Sequence, residues 1–123
     1  YFVQAPGGGV WLWAHNACTP AQAKAIAKKH GGIDLGDGNF RFTSRRAARR
    51  AASEMAGDLG AHPRAIRAND IRGYQTTSRR VVGRDSADGT IRWRDDYLGH
   101  ERFGAPPHIN VEAPGVNFHL FYG

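Results

Sequence analysis

The chain has almost no cysteine. Cys18 is the single cysteine among its 123 residues, which excludes a disulfide framework within one chain and a metal site built from thiolates. Zinc nucleobase deaminases are excluded for the same reason. They need a Pro-Cys-x-x-Cys element after a His-x-Glu element, and no thiol follows Cys18.

Long apolar runs and acidic residues are also scarce. No apolar stretch approaches the roughly 20 residues of a membrane-spanning helix, and the opening Tyr1-Phe2-Val3 lacks the features of a signal peptide. We therefore expect one domain that does not insert into a membrane. Asp and Glu together number 11 against 17 Lys and Arg, which gives a net charge of +6. This excess predicts an anionic partner, and nucleic acid is the usual one.

Two helices are predicted in the first half of the chain. Thr19 as N-cap, Pro20 at the first helical position and Gln22 three residues after the cap form a capping box, and Gly31-Gly32 ends that helix. Ser44 can cap a second helix over residues 45–59, closed by Gly60. One side of this second helix is an apolar stripe that faces the core: Ala47, Ala48, Ala51, Ala52, Met55 and Leu59.

The start of the second helix is crowded with cations, namely Arg45, Arg46, Arg49 and Arg50. Positive side chains near a helix N-terminus oppose the helix dipole, at a cost of about 0.3–1 kcal/mol each when exposed. A solvated charged face is one interpretation of this cluster, and contact with phosphate groups is the other. Because the arginines interact unfavourably with the helix dipole, the interpretation as a phosphate-contacting cluster is favoured.

The remaining segments predict mainly extended structure. Residues 39–43 alternate as a short strand, residues 64–68 are compatible with a short helix, residues 76–84 are extended and residues 90–97 alternate. A final hairpin closes the chain. Helices first and strands afterwards indicate an α+β fold, with N-terminal helices followed by a roughly four-stranded antiparallel sheet.

The final hairpin turns at Ala113-Pro114-Gly115, and its side chains alternate between two faces. The apolar face packs on the core. The polar face carries His108, Asn110, Glu112, Asn117 and His119. Two histidines and two asparagines are thus expected on one side of the hairpin.

Paired imidazoles on a basic protein suggest acid–base chemistry on phosphodiesters. Cleavage of RNA by its own 2′-hydroxyl needs a base for that proton and an acid for the leaving 5′-oxygen, and histidine serves either role near neutral pH. His108 and His119 are the predicted pair, with His100 in the preceding loop as a third candidate. This route needs no metal or other cofactor. Guanidinium groups can stabilise the phosphorane charge. The expected substrate-binding residues are Arg79, Arg80, Arg92, Arg94, Thr77, Ser78, Asn110 and Tyr97.

Other functions stay open. The order His100, Asn110, His119 is similar to that of a ββα-metal nuclease, although that motif places its last ligand on a helix after the hairpin. Thr76-Thr77-Ser78, with Arg72 upstream and Glu101 or Glu112 downstream, weakly resembles an ADP-ribosyltransferase. A non-catalytic nucleic-acid-binding module and a plain structural domain are further alternatives.

Two stretches resemble the C-terminal toxin domains of bacterial polymorphic toxins of the Rhs and contact-dependent inhibition types. Residues 10–18, Val-Trp-Leu-Trp-Ala-His-Asn-Ala-Cys, are similar to the junction that closes a pretoxin module. The series Gly99-His100, Pro107-His108-Ile109-Asn110-Val111 and His119 is similar to the tail of many such toxins. The resemblance divides the chain into the end of an upstream module or linker at 1–18 and a toxin nuclease domain at 19–123.

The order of elements also resembles the barnase–EndoU–colicin–RelE group of metal-independent ribonucleases. This resemblance implies His108 and His119, with His100 behind them, as catalytic residues, and transfer or ribosomal RNA as substrate. It further implies an antibacterial effector that is secreted or delivered into a competing bacterium and acts in the cytoplasm of that cell. A cognate acidic immunity protein would match the +6 charge by complementarity.

Overall fold

The computed structural model describes residues 18–99 and 106–122. The pretoxin-like junction before Cys18 lies outside the described residues, as do His100 and Glu101. The described elements confirm the α+β class. They are α1 (Pro20–Lys29), β1 (Ile33–Gly36), β2 (Asn39–Phe42), α2 (Arg45–Ala56), β3 (Arg64–Arg67), a short 3-10 helix (Ala68–Asp70), β4 (Val81–Asp85), β5 (Arg92–Asp96), β6 (His108–Ala113) and β7 (Val116–Tyr122).

The strands form one seven-stranded sheet in the order β1-β2-β7-β6-β5-β4-β3. The prediction of about four strands was therefore too low. Neighbouring strands run antiparallel except β2 and β7, which are parallel. β7 thus lies inside the sheet and joins the β1–β2 hairpin to the β3–β6 meander.

Three local predictions were wrong. Residues 64–67, expected in a short helix, form the edge strand β3, which pairs with β4. The strand β1 was not predicted, and of the extended residues 76–84 only 81–84 join the sheet, in the strand β4 that continues to Asp85. The helix α2 ends at Ala56 instead of residue 59, because Gly57 adopts a φ of 73°, which glycine tolerates at a helix end.

The predicted start of α1 is confirmed in atomic detail. The backbone N–H of Gln22 donates to Thr19 Oγ1 at 3.2 Å, and the backbone N–H of Thr19 donates to Gln22 Oε1 at 2.9 Å. Gly31 follows the helix with a φ of 77°. Two otherwise unpaired N–H groups at the helix start are satisfied in this way.

Both helices pack on one face of the sheet, here called the helix face. The small side chains of α2 allow close packing of the helix on the strands, since Ala48, Ala51, Ala52 and Met55 are all fully buried. The strands supply the other side of this core: Phe40, Phe42, Ile109, Val111, Phe118 and Leu120. Neither α1 nor α2 packs on the opposite face. Within the described ranges, no helix is long and apolar enough to cross a membrane.

Candidate active site on the histidine face

The register of the final hairpin brings the two predicted histidines together. His119 of β7 pairs with Asn110 of β6, and His108 pairs with Phe121. The imidazole centroids of His108 and His119 lie 5.8 Å apart. The alternation predicted from the sequence therefore gives the correct face. This side of the sheet, opposite α1 and α2, is called the histidine face.

His108 is buried, with 4% of its surface exposed. Its Nδ1 lies 2.7 Å from the carbonyl oxygen of Pro106. A carbonyl oxygen only accepts hydrogen bonds, so this contact assigns a proton to Nδ1. Nε2 lies 3.9 Å from Oδ2 of Asp96. Nε2 is therefore the ring atom at which His108 can gain or lose its second proton.

Asp96, at the end of β5, is a buried carboxylate that was not among the predicted site residues. It is fully buried and accepts hydrogen bonds from Arg94 at 2.6 and 3.0 Å and from Nδ2 of Asn110 at 2.9 Å. With His108 Nε2 close by, Asp96 connects three predicted site residues.

His119 is the more accessible of the two imidazoles, because its side chain is only partly buried. Burial lowers the pKa of His119, and the nearby His108 lowers it further. The pKa of an unperturbed histidine is about 6.5. His119 is therefore held neutral at neutral pH and can accept a proton.

We expect His119 to titrate below pH 6.5 in an NMR pH series. Because the folded pKa is lowered, the unfolded chain binds this proton more readily. The free energy of unfolding is therefore highest above pH 6.5 and falls as the pH drops from 6.5 to the folded pKa. As the pH falls from 6.5 to the folded pKa, the free energy of unfolding should decrease less for His119→Gln than for the wild type. Urea unfolding at several pH values measures this difference. A measured pKa at or above 6.5 would contradict this assignment.

Phe121 and Arg41 extend the site and were not predicted. The ring of Phe121 lies 5.5 Å from that of His108 and 6.5 Å from that of His119, nearly parallel to the latter at 25°. Arg41 of β2 is level with Phe121 and exposed. No hydrogen-bond acceptor is recorded for its guanidinium among the described residues. The alternation of β2 places Arg41 away from the core, but the sequence does not indicate that β2 pairs with β7.

Arg92 and Arg94 lie on the histidine face because β5 pairs with β6. In this register Arg92 is opposite Glu112 and Arg94 is opposite Asn110. Both have carboxylate partners. Nε of Arg92 donates to Oε1 of Glu112 at 2.8 Å, and Arg94 binds Asp96. The hydrogen bond to Asp96 raises the pKa of Arg94. Each guanidinium keeps further N–H donors for a phosphate.

The other predicted substrate-binding residues lie in a second cluster. The guanidinium of Arg80 lies 4.6 Å from the ring centroid of Tyr97, and that of Arg45 from α2 lies 5.5 Å from the same ring. Ser78 uses its hydroxyl to accept from the backbone N–H of Arg80 at 3.3 Å. No contact of these residues with His108 or His119 is recorded in the described part.

Thr77 and Arg79 are exposed in the loop before β4. The carbonyl oxygen of Arg79 accepts a hydrogen bond from Nη1 of Arg67 at 2.7 Å, which fixes the loop backbone. The structure therefore groups only Arg92, Arg94 and Asn110 of the predicted binding residues with the histidine pair.

Of the three residues proposed for a metal nuclease, Asn110 and His119 lie in the described ranges and His100 does not. No group of three or more His, Cys, Asp or Glu side chains there is placed to hold a metal ion. His119 lies on the strand β7, whereas the ββα-metal motif places its last ligand on a helix. Glu112, suggested for ADP-ribosyl transfer, is paired with Arg92.

No protein-family model matches the chain, and no curated protein matches it at a significant level. Function is therefore inferred from the side chains and their positions.

Proposed function

We propose that this chain is a metal-independent endoribonuclease that acts as an antibacterial toxin domain. The observation that carries the proposal is the pair of imidazoles, 5.8 Å apart on the histidine face, with arginines around it. RNA cleavage through the 2′-hydroxyl needs two proton transfers and a stabilised negative phosphorane. These residue types supply each of those needs.

His119 is the proposed base. Its lowered pKa keeps a lone pair available at neutral pH, and its partial exposure lets it reach a 2′-hydroxyl. It removes that proton while the 2′-oxygen attacks the phosphorus. The products are a 2′,3′-cyclic phosphate and a leaving 5′-oxygen.

His108 is the proposed acid. Its Nδ1–H donates to the Pro106 carbonyl, so the proton to be transferred is the one on Nε2, the ring atom that lies 3.9 Å from the Asp96 carboxylate. That Nε2 proton goes to the leaving 5′-oxygen. Because His108 is 4% exposed in the free protein, this transfer requires side chains around the ring to move when RNA binds. Such rotamer changes are common on binding.

Substrate binding is assigned to the cations and the aromatic ring of the histidine face. Arg41 lies two residues along β2 from Asn39, which is level with His119, so its long side chain can reach a phosphate beside that histidine. Arg92 and Arg94 approach the same face from β5. Phe121 offers a ring on which an unpaired base can stack, a contact worth about 1–3 kcal/mol.

The toxin role is proposed from the resemblance of residues 10–18 and of the segment from Gly99 to His119. It includes delivery into a competing bacterium, action in its cytoplasm on transfer or ribosomal RNA, and neutralisation by an acidic immunity protein. A small acidic open reading frame directly downstream would support this context. Growth of a susceptible strain that expresses the chain without such a partner would contradict it.

Incubation of the purified chain with total RNA in EDTA tests the proposed activity. We expect cleavage with 2′,3′-cyclic phosphate ends, and a loss of about tenfold in kcat/KM for Arg41→Gln, because one phosphate contact is removed. Intact RNA at high protein concentration would contradict the proposal. Cleavage only with an added divalent ion would favour a metal-dependent nuclease, and consumption of NAD would favour ADP-ribosyl transfer.

A further inference from the structure

We propose that the arginine strip of α2 is a second binding site, for the phosphodiester backbone of single-stranded RNA. The strip consists of Arg45, Arg46, Arg49 and Arg50. It lies on the helix-face side of the molecule, whereas His108 and His119 lie on the opposite face. The proposal therefore concerns a separate site and does not depend on RNA cleavage.

The strip has a regular geometry. Its residues occupy helix positions i, i+1, i+4 and i+5, so they form two parallel rows whose members are about 6 Å apart along the helix axis. The four arginines and Ser53 line a depression of about 550 Å³. Two rows of guanidinium groups along an open depression match the repeated charges of an extended phosphodiester chain.

Two of the four arginines are held in place by contacts with residues of the sheet. Nε of Arg45 donates to Oδ2 of the buried Asp95 at 2.6 Å, and Nε of Arg49 lies 3.6 Å from the same oxygen. The guanidinium of Arg49 also lies 5.4 Å from the ring centroid of Trp93 and donates to the Val81 carbonyl at 3.3 Å. A side chain that is already ordered loses less conformational entropy when it binds a ligand.

The other two arginines face solvent. Arg46 and Arg50 are exposed, and no acceptor is recorded for either among the described residues. Their positive charges are not offset by the helix itself. Its one acidic residue, Glu54, is bound by Lys29 at 3.1 Å and by His30 at 3.0 Å at the end of α1.

The strip carries an excess of positive charge at a cost to stability. The first turn of α2 contains no acidic residue, so the cations oppose the helix dipole. Like charges four residues apart add about 0.2–0.5 kcal/mol of repulsion per pair. Within residues 18–99 and 106–122, Asp95 is the one carboxylate in contact with the strip. A bound polyanion would offset this repulsion. The position of the four arginines at the start of α2 therefore favours a polyanionic ligand.

The choice of residue type suits a phosphate ligand. α2 contains four arginines and no lysine, and the planar guanidinium fork binds phosphate oxygens through two parallel hydrogen bonds. Two further exposed arginines continue the basic surface. Arg80 lies over Tyr97 beside Arg45, and Arg84 is level with Trp93 beneath Arg49.

The test measures binding of a fluorescein-labelled 2′-O-methyl RNA 20-mer, which the proposed 2′-hydroxyl mechanism cannot cleave. Arg46→Glu/Arg50→Glu is compared with Lys24→Glu/Lys28→Glu, which changes the net charge equally but alters exposed residues of α1. We expect the arginine variant to raise Kd at least about tenfold and to make the negative slope of log K against log salt shallower by about 1.4, at about 0.7 per phosphate contact. The lysine variant should stay within about threefold of the wild type.

Several outcomes would overturn the proposal: equal losses in the two charge-matched variants, no binding by the wild type, or equal competition by polyglutamate. Arg46→Gln/Arg50→Gln is a milder variant, and its thermal unfolding, followed by circular dichroism, shows whether the protein still folds. Its Kd should lie between those of the wild type and Arg46→Glu/Arg50→Glu. His62→Ala, at an exposed histidine outside both proposed sites, should bind the probe within about twofold of the wild type. Strip-dependent binding without cleavage of ordinary RNA would retain this site and reject the proposed ribonuclease.

Discussion

His119→Ala should lower the rate of RNA cleavage by about 10²–10⁴-fold, the usual effect of removing a general acid or base. His119 is the accessible imidazole of the pair, and its lowered pKa gives it the proton-accepting form at neutral pH. The loss should appear in kcat, because the proton transfer occurs in the transition state. Single-turnover cleavage of a labelled RNA, measured in EDTA, is the direct assay.

His62→Ala is the matched control, because His62 is an exposed histidine in the loop before β3. It should cleave at the wild-type rate. His119→Ala should also keep its unfolding midpoint within a few degrees, since this side chain is not part of the core. Unchanged cleavage by His119→Ala would reject histidine catalysis. His108→Ala is a less direct test, because it also removes a buried side chain and its hydrogen bond to Pro106.

Asp95→Asn should lower the free energy of unfolding by about 2–4 kcal/mol. Asp95 is fully buried and accepts from the hydroxyl of Tyr122 at 2.6 Å and from Arg45 at 2.6 Å. Breaking a buried ion pair costs about 3–5 kcal/mol. Because the side chains of Arg45 and Arg49 are 36% and 34% exposed, water offsets part of that loss. Urea unfolding of both proteins measures the difference.

Tyr122 gives a second measurement on the same variant. Burial raises the pKa of Tyr122, and its hydrogen bond to Asp95 raises it further. Removal of the carboxylate charge should therefore lower this pKa, which ultraviolet titration of the phenol detects. Glu54→Gln is the control for stability, since Glu54 is a surface carboxylate that also binds two basic partners. It should lower the free energy of unfolding by less than Asp95→Asn does, because solvent screens an exposed ion pair. Equal effects of the two substitutions would show that Asp95 is not the centre of a buried network.

The features that the sequence predicted correctly are those that depend on neighbouring residues. The cap of α1 follows from Thr19, Pro20 and Gln22, which are close in sequence. The common face of His108 and His119 follows from alternation and a tight turn. Both rules act over a few residues, so no knowledge of the whole sheet was needed.

The features that were missed depend on contacts between distant segments. Residues 64–67 have no strong preference for helix or strand, and pairing with β4 decides the outcome (propensity is commonly overridden in this way). Arg41 joins the histidine face through the parallel pairing of β2 with β7. Asp96 acquires its role from Asn110 and His108 on the next strand. Residues that are neighbours in the sequence do not indicate any of these strand pairings.

The position of Arg80 and Tyr97 shows the same limit. Their residue types suited phosphate binding, and the sequence grouped them with the histidines. In the structure they pack beside Arg45 at the start of α2. Composition predicted a basic binding surface but did not divide it between the two faces of the sheet.

The place of β7 in the sheet has a consequence for the kinetics of folding. β7 joins the β1–β2 hairpin to the β3–β6 meander, and its parallel pairing brings residues 39–42 against residues 119–122. Such contacts between distant residues form slowly, since a long loop must close before they contribute. β7 also carries His119. The β6–β7 hairpin brings His108 and His119 together locally, whereas Arg41 of β2 joins them only through the parallel pairing, so the complete histidine face would assemble only when β2 pairs with β7.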